Sequence, residues 1–282
     1  MRFTILSENR KKYDCDSEEG FSIFINTFNK KIMLDTGFSD LFIKNSQILN
    51  IDLRQVDDII LSHGHSDHSN GIAFFPKPKK KINLLLHPDC FLERYSIRRN
   101  MHYAGMNRNL EELSKTFNVI MSRTPYFLCK NICYLGEIER KNNFEAKVFP
   151  SVLNNNKTDY IFDDTALVIK SSSGLIIISG CSHSGICNII EYSKKIMNEK
   201  KVYAVIGGLH LKYLDDLTYR TIEYFKYNRI PNLYIGHCTS DDVIEVFKNE
   251  LTTVSNVVSL YSGLEFEIDW FYQFILVSTF FS

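Results

Sequence analysis

A layered α/β protein with extensive sheet is what this sequence predicts, and three features predict it. Short apolar runs rich in β-branched residues recur along the chain, helical patterns separate the later ones, and 44% hydrophobic content over 282 residues allows a sizeable core. In chain order, strands are expected at Phe3–Leu6, Phe21–Thr27, Lys31–Leu34, Asp58–Leu61 and Ile82–Leu86, each bounded by Gly, Asp, Asn or Lys. Helices are expected at Asn70–Phe75 and Leu110–Phe117. From there strands at Ala166–Lys170, Leu175–Ile178, Val202–Ile206 and Asn232–Ile235 alternate with helices at Cys187–Met197, Leu217–Tyr227 and Asp241–Glu250. Ser240 stands where its hydroxyl can cap the last helix, with Asp241 and Asp242 in its first turn.

No repeat or long Gly/Ser/Pro linker divides the chain, so residues 1–268 read as one domain with an irregular insertion at about 95–125. The insertion carries Arg98, Arg99, Arg108 and Arg123 among Met and aromatic residues without a strand period. It reads as a helical surface excursion, the alternative being a segment laid over an active site. Residues 269–282 form an apolar C-terminal extension. The run from Ile268 is shorter than the roughly 20 apolar residues a spanning helix needs, so a buried element is expected rather than a membrane span, or else a contact with another subunit or a membrane surface.

Composition excludes some function classes. With 33 Lys+Arg against 33 Asp+Glu, the chain lacks the basic excess through which counterion release drives general nucleic-acid binding. The seven Cys are odd in number and without compact spacing, which argues against a disulfide framework and for a reducing, cytoplasmic setting. The start, MRFTILSENRKKYD, has no signal-peptide pattern. Cys129 and Cys133 lack a second pair and read as packing residues.

The segment that carries chemistry is Ile59-Ile60-Leu61-Ser62-His63-Gly64-His65-Ser66-Asp67-His68. An apolar strand runs directly into three histidines and an acid, a density of imidazole and carboxylate that a divalent cation would organise and that protonation would otherwise drive apart. On an extended backbone His63 and His65 share a side and can reach one ion, while Asp67 and His68, past the turn, can face a second.

His63-x-His65-x-Asp67-His68 matches the HxHxDH signature of the metallo-β-lactamase fold superfamily, and Leu34-Asp35-Thr36-Gly37 resembles its upstream Asp motif. Three further segments resemble successive motifs of one subfamily, which includes archaeal dihydropterin ribofuranosylaminobenzene phosphate synthase-like proteins. They are Gly180-Cys181-Ser182-His183-Ser184-Gly185-Ile186-Cys187-Asn188, Gly207-Gly208-Leu209-His210-Leu211 and Gly236-His237-Cys238-Thr239. His87-Pro88-Asp89, Gly136-Glu137-Ile138-Glu139-Arg140 and Asp163-Asp164-Thr165-Ala166-Leu167 extend the likeness over nearly the whole chain.

The resemblance implies a four-layer αβ/βα sandwich with mixed sheets and a metal site at the edge between them. It implies two divalent metal ions, zinc foremost with manganese or iron as alternatives, one on His63, His65 and His183 and the other on Asp67, His68 and His237. Asp35 would stand behind the ligands and fix a histidine tautomer. Asp67 and His210 would be the catalytic residues, His210 as proton donor or as partner to a substrate oxygen. Water acidified by the cations, from about 15.7 toward neutrality, would be the nucleophile.

The chain also departs from the superfamily. Gly180-Cys181 stands where many of these hydrolases place a Gly-Asp pair with a bridging acid. Cys181 is then a thiolate ligand or, the preferred reading, a small buried residue, and Asp163 or Asp164 could supply the carboxylate. Asn70-Gly71 replaces Gly-Gly, a mild change because Asn tolerates left-handed backbone. Glu19 stands where the subfamily often has His, and His87 and His102 read as structural or solvent-facing. The expected activity is a metal-dependent hydrolase of a small phosphorylated or ester substrate. Alternatives are a transferase joining an arylamine to a pterin by displacing diphosphate, or a non-catalytic metal-binding sensor. A small anionic substrate fits the basic residues between Arg98 and Arg140, and the apolar tail suggests a homo-oligomer.

Overall fold

The computed structural model describes residues 1–268 apart from positions 13, 28, 79, 98, 99 and 150. Arg98, Arg99 and the extension 269–282 therefore lie outside the described residues. The first sheet runs in the order Glu265–Glu267, Arg2–Ser7, Ser22–Asn26, Lys31–Leu34, Asp58–Ile60, Asn83–Leu86, Asn118–Met121. The second runs Asn256–Ser259, Asn232–Ile235, Val202–Gly207, Gly174–Ser179, Ala166–Ser171, Ile132–Tyr134, Tyr126–Cys129. Each joins an antiparallel half to a parallel half, so both sheets are mixed.

Alternation along each strand explains the layering. Ile23, Ile25, Ile32, Leu34 and Ile60 point inward and meet Leu167, Ile169, Ile176 and Ile178 of the facing sheet in one buried cluster. Their neighbours Phe24, Met33, Ile59 and Leu61 point outward, where Phe42 of helix Leu41–Ile48 and Leu113 of helix Leu110–Thr116 cover them. On the far side Leu175, Ile177 and Val205 pack against helices Ile186–Met197, Asp216–Asn228 and Asp241–Glu250. The result is the αβ/βα sandwich. Strands buried on both faces read as continuous apolar runs, which made them conspicuous in the sequence.

Ser240 caps its helix as expected, accepting from the Val243 amide at 3.4 Å. Two expectations need correction. The helix expected at Asn70–Phe75 starts earlier, as a turn at Ser66–Ser69, and continues as a tight 3₁₀ segment over Asn70–Phe74. Asn70 there is right-handed at φ −70°, and Gly71 is needed because a Cβ would collide with the Thr36 carbonyl. The stretch 95–125 is not mainly helical. Arg94–Ser96 and His102–Tyr103 form a small sheet with Ser151–Leu153, Leu110–Thr116 is helical with an Asn109/Glu112 capping box, and Asn118–Met121 edges the first large sheet.

The parallel halves position the site. The strands Lys31–Leu34, Asp58–Ile60, Gly174–Ser179, Val202–Gly207 and Asn232–Ile235 lead at their C-terminal ends into the loops carrying Asp35, His63 to His68, Cys181 to His183, His210 and His237.

Candidate metal centre

All six histidines and the acid singled out in the sequence meet at this edge, except that His210 stands slightly outward beside His183. Ring centroids are 4.7 Å apart for His63–His65 and for His68–His237, 4.9 Å for His63–His183 and for His65–His183, and 4.3 Å for His183–His210. The loops pay a conformational cost for this convergence. Asp35, Ser182, His210 and His237 all adopt left-handed backbone, with φ of 58°, 59°, 54° and 51°, which costs on the order of 1–3 kcal/mol per non-glycine residue. Gly180 has to be glycine, since a Cβ would collide with Ser62 Oγ and approach Asp35 Oδ2 to 2.8 Å.

Hydrogen bonds fix which ring nitrogens face inward. The fully buried Asp35 accepts from the Ser62 amide at 2.7 Å and, on its other oxygen, from the Ser62 hydroxyl at 2.6 Å and His68 Nδ1 at 2.7 Å. An ionised carboxylate only accepts, so His68 carries its proton on Nδ1 and presents a lone pair at Nε2. Ser62, its one hydrogen spent on Asp35, accepts from His63 Nδ1 at 2.9 Å, which leaves His63 Nε2 as a lone pair too. On the opposite side Asn9 gives its amide NH₂ to the His237 carbonyl at 3.2 Å, so its oxygen is what meets His237 Nδ1 at 3.0 Å. His237 is thereby held with Nε2 bare.

His68 Nε2 and His237 Nε2 consequently point at each other across 2.9 Å, lone pair to lone pair. His63 Nε2 and His65 Nδ1 are also 2.9 Å apart, and the buried Nε2 of His183 has no hydrogen-bond partner. Such an arrangement repels unless a cation or proton lies between the nitrogens, so the donor set fits a divalent metal. The titration of His63, His65 and His183 agrees. Burial and the neighbouring imidazoles hold His63 and His183 well below the ordinary histidine range, and burial with Arg94 nearby brings His65 down to about 3. Burial also opposes charge on His68, but the Asp67 and Asp35 carboxylates outweigh it and raise that ring to about 9, so without a cation a proton fills the gap between His68 Nε2 and His237 Nε2, and a metal binds there by displacing it. Asp67, 3.5 Å from His237 Nε2 and 3.7 Å from His68 Nε2, is held below the usual carboxylate range by those imidazoles despite burial.

Asp163 and Asp164 each engage a backbone amide of a histidine-bearing loop. Asp163 accepts from the Gly64 amide at 2.7 Å and from Arg94 Nη2 at 3.0 Å, and this buried ion pair clamps the His63–His65 loop from behind. Asp164 accepts from the Ser184 amide at 2.8 Å and holds the His183 loop, with burial raising its carboxyl to about 6. Cys181 is buried as expected, yet its sulfur lies among donors, 3.2 Å from His68 Nε2. It belongs to each of three groups whose ligand atoms lie within 4.8 Å of one another: with His63 and His183, with His68 and His237, and with His210 and Cys238.

Sequence reasoning missed Cys238, Asn9, Ser62 and Arg94. Cys238 was visible beside His237 in its motif. Arg94 and Asn9 carried no signal, being a lone Arg and a lone Asn brought in by topology. His87 is buried and structural, its Nδ1 accepting from the Asp89 amide at 3.1 Å, while His102 is exposed. The site opens into a cavity of about 970 Å³, lined by Arg10, Glu18, Glu19, Phe38, His102, Tyr103, Lys212 and Tyr213 as well as the centre itself.

Residues 17–100, which contain Asp35 and the run from His63 to His68, match the family profile of the metallo-β-lactamase superfamily. The chain belongs to that superfamily. Within it, the chain is 36% identical over 252 residues to the 7,8-dihydropterin-6-methyl-4-(β-D-ribofuranosyl)-aminobenzene-5'-phosphate synthase of Methanocaldococcus jannaschii, covering 83% of this chain and 85% of that protein. The crystal structure of Tm1679, described as a metal-dependent hydrolase of the β-lactamase superfamily, superposes with a TM-score of 0.81 at 28% identity over 95% of this chain and 99% of that one. YhfI from Bacillus subtilis shares the fold at a TM-score of 0.57 and 14% identity, over 94% of this chain and 98% of that one.

Proposed function

We propose that the protein is a metal-dependent hydrolase of a small phosphorylated or ester substrate. The observation that carries this reading is the facing pair of bare nitrogens on His68 and His237, each locked by a partner on its far side. In this reading His63, His65 and His183 hold one divalent ion, and Asp67, His68 and His237 a second, with zinc, manganese or iron as the metal. When bound, the ions supply Lewis acidity, which acidifies water and stabilises an anionic leaving group.

The chain's own residues do the rest. Asp35, Ser62 and Asn9 keep the ligand nitrogens deprotonated on the inward side. The Arg94–Asp163 pair fixes the loop between His63 and His65. His210, beside His183 on the cavity wall, gives a proton to the departing oxygen. Lys212, exposed on the same wall and without an ion pair among the described residues, is placed to meet an anionic group. The description of Tm1679 supports hydrolysis.

A second reading, transfer of a pterin-bearing group to an arylamine with loss of diphosphate, is favoured by the identity to the archaeal synthase. The cavity's exposed Phe38, Tyr103 and Tyr213 offer flat faces on which aromatic rings can stack. Incubating metal-loaded protein with phosphodiesters, and separately with a pterin diphosphate with and without the aminobenzene acceptor, separates the two. Hydrolysis predicts release without the amine. Diphosphate release that requires the amine overturns it in favour of transfer, and inertness toward every substrate overturns both.

A further inference from the structure

The histidine pockets use two of the three donor groups that meet at Cys181. The third, Cys181 with His210 and Cys238, lies toward the cavity, with all three ligand atoms within 4.8 Å of one another. Its geometry is built by the fold. Cys238 Sγ accepts from the His210 amide at 3.3 Å and lies 3.5 Å from the Cys181 carbonyl oxygen, so the sulfur is pinned between two other strand-end loops. Gly208 makes room for it, because a Cβ there would stand 2.5 Å from that sulfur. Unlike the buried Cys181, Cys238 is half-buried and reachable from the cavity.

We propose that Cys238, with Cys181 and His210, forms a thiolate-bearing pocket for a thiophilic divalent ion such as zinc, cadmium or cobalt, adjoining the imidazole pockets at the shared Cys181 sulfur. Two sulfurs and one ring nitrogen are the donor types such ions prefer, whereas manganese favours oxygen. Zinc sits about 2.3 Å from sulfur and about 2.0 Å from imidazole nitrogen, so ligand atoms of one tetrahedral ion lie roughly 3.5 Å apart. Donors already within 4.8 Å close on an ion with shifts of about 1 Å. Three protein ligands leave a fourth position open toward the cavity. Binding expels the two thiol protons to solvent, and it engages His210, so an ion here takes that ring out of proton transfer. Zinc or cadmium beyond the amount that fills the imidazole pockets therefore lowers turnover, and manganese does not.

The test is titration of metal-free full-length protein with Co²⁺, read as the near-ultraviolet sulfur-to-cobalt charge-transfer band, alongside metal content. Wild-type protein should develop the band. Cys238→Ser should lose at least half of it and about one equivalent of bound Co²⁺ or Zn²⁺. Mn²⁺ content should be the same in both proteins, which also shows that the variant folds. If Cys238→Ser does not fold, thiol counting on the wild type decides: Zn²⁺ should shield one more thiol, the reachable Cys238, from a disulfide reagent than Mn²⁺ does. Cobalt bound without the band, an unaltered band and stoichiometry in Cys238→Ser, or equal shielding by the two metals overturns the proposal. Protein that binds no Mn²⁺, Co²⁺ or Zn²⁺ at all overturns the proposed hydrolase as well.

Discussion

Exchanging Asp35 for Asn swaps one buried oxygen for an NH₂ group, and the hydrogen-bond chain behind the histidines should carry that change to two metal-facing nitrogens at once. The substituted amide keeps its oxygen for the Ser62 amide, which leaves NH₂ toward Ser62 Oγ and His68 Nδ1. His68 Nδ1 must then accept, and its proton moves to Nε2. Ser62, now receiving a hydrogen from the amide, gives its own to His63 Nδ1, and that ring's proton also moves to Nε2. Loss of one partner behind a metal ligand typically costs 10–100-fold in affinity. With two rings inverted the upper end applies, about 100-fold or about 2.8 kcal/mol. Asn tolerates the left-handed backbone at φ 58°, so the fold should survive. Competition of Asp35→Asn and wild type against a chromophoric chelator measures the change, with urea unfolding as a check on the fold. A folded variant within threefold of wild-type affinity would refute the argument that Asp35 sets these tautomers.

Three other substitutions probe the same scaffold. Arg94→Leu leaves the fully buried Asp163 without its cation and should cost about 3–5 kcal/mol in urea unfolding; a loss under about 1 kcal/mol would mean that the pair does not stabilise the loop. Asp164→Asn should change the pH dependence of stability. The carboxyl titrates near 6 when folded and near 3.8 when unfolded, so its favourable contribution is whole below about pH 3.8 and is lost as pH rises through 6. Thermal melts of metal-free protein should show the wild type losing up to about 3 kcal/mol relative to the variant across that window, and parallel curves would contradict the assignment. Gly180→Ala, which drives a Cβ against Ser62 Oγ, should abolish metal retention measured by elemental analysis, whereas normal metal content would show that the Ser62–Asp35 contact is dispensable.

Most strands that sandwich the core were legible because they are buried and read as unbroken apolar runs, as at Ile59–Leu61 or Leu175–Ile178, whereas the equally buried Ile132–Tyr134 was missed, being three residues with Cys133 at their centre. Edge strands were not legible. Asn118–Met121 and Tyr126–Cys129 are mostly exposed or half-buried, and Glu265–Glu267 is three residues with charged ends. Helix Leu41–Ile48 escaped notice because its buried face includes Asn45 and Ser46, held by hydrogen bonds to backbone carbonyls rather than by apolar packing. At the centre, the histidines were legible because three imidazoles and an acid crowded directly after a buried strand would repel one another on protonation unless a cation held them. The groups that orient them were not, since Asn9 and Arg94 reach the site from far along the chain and Ser62, although next to His63, is set by its bond to the distant Asp35, and no local spacing encodes those contacts.

The account stands most directly on whether cations occupy the space between the inward-facing nitrogens. Anomalous diffraction from crystals grown with excess zinc or manganese should place metal between His63, His65 and His183, and between His68, His237 and Asp67. Well-ordered side chains in these positions with no anomalous peak among them, in protein shown by elemental analysis to carry no metal, would contradict it.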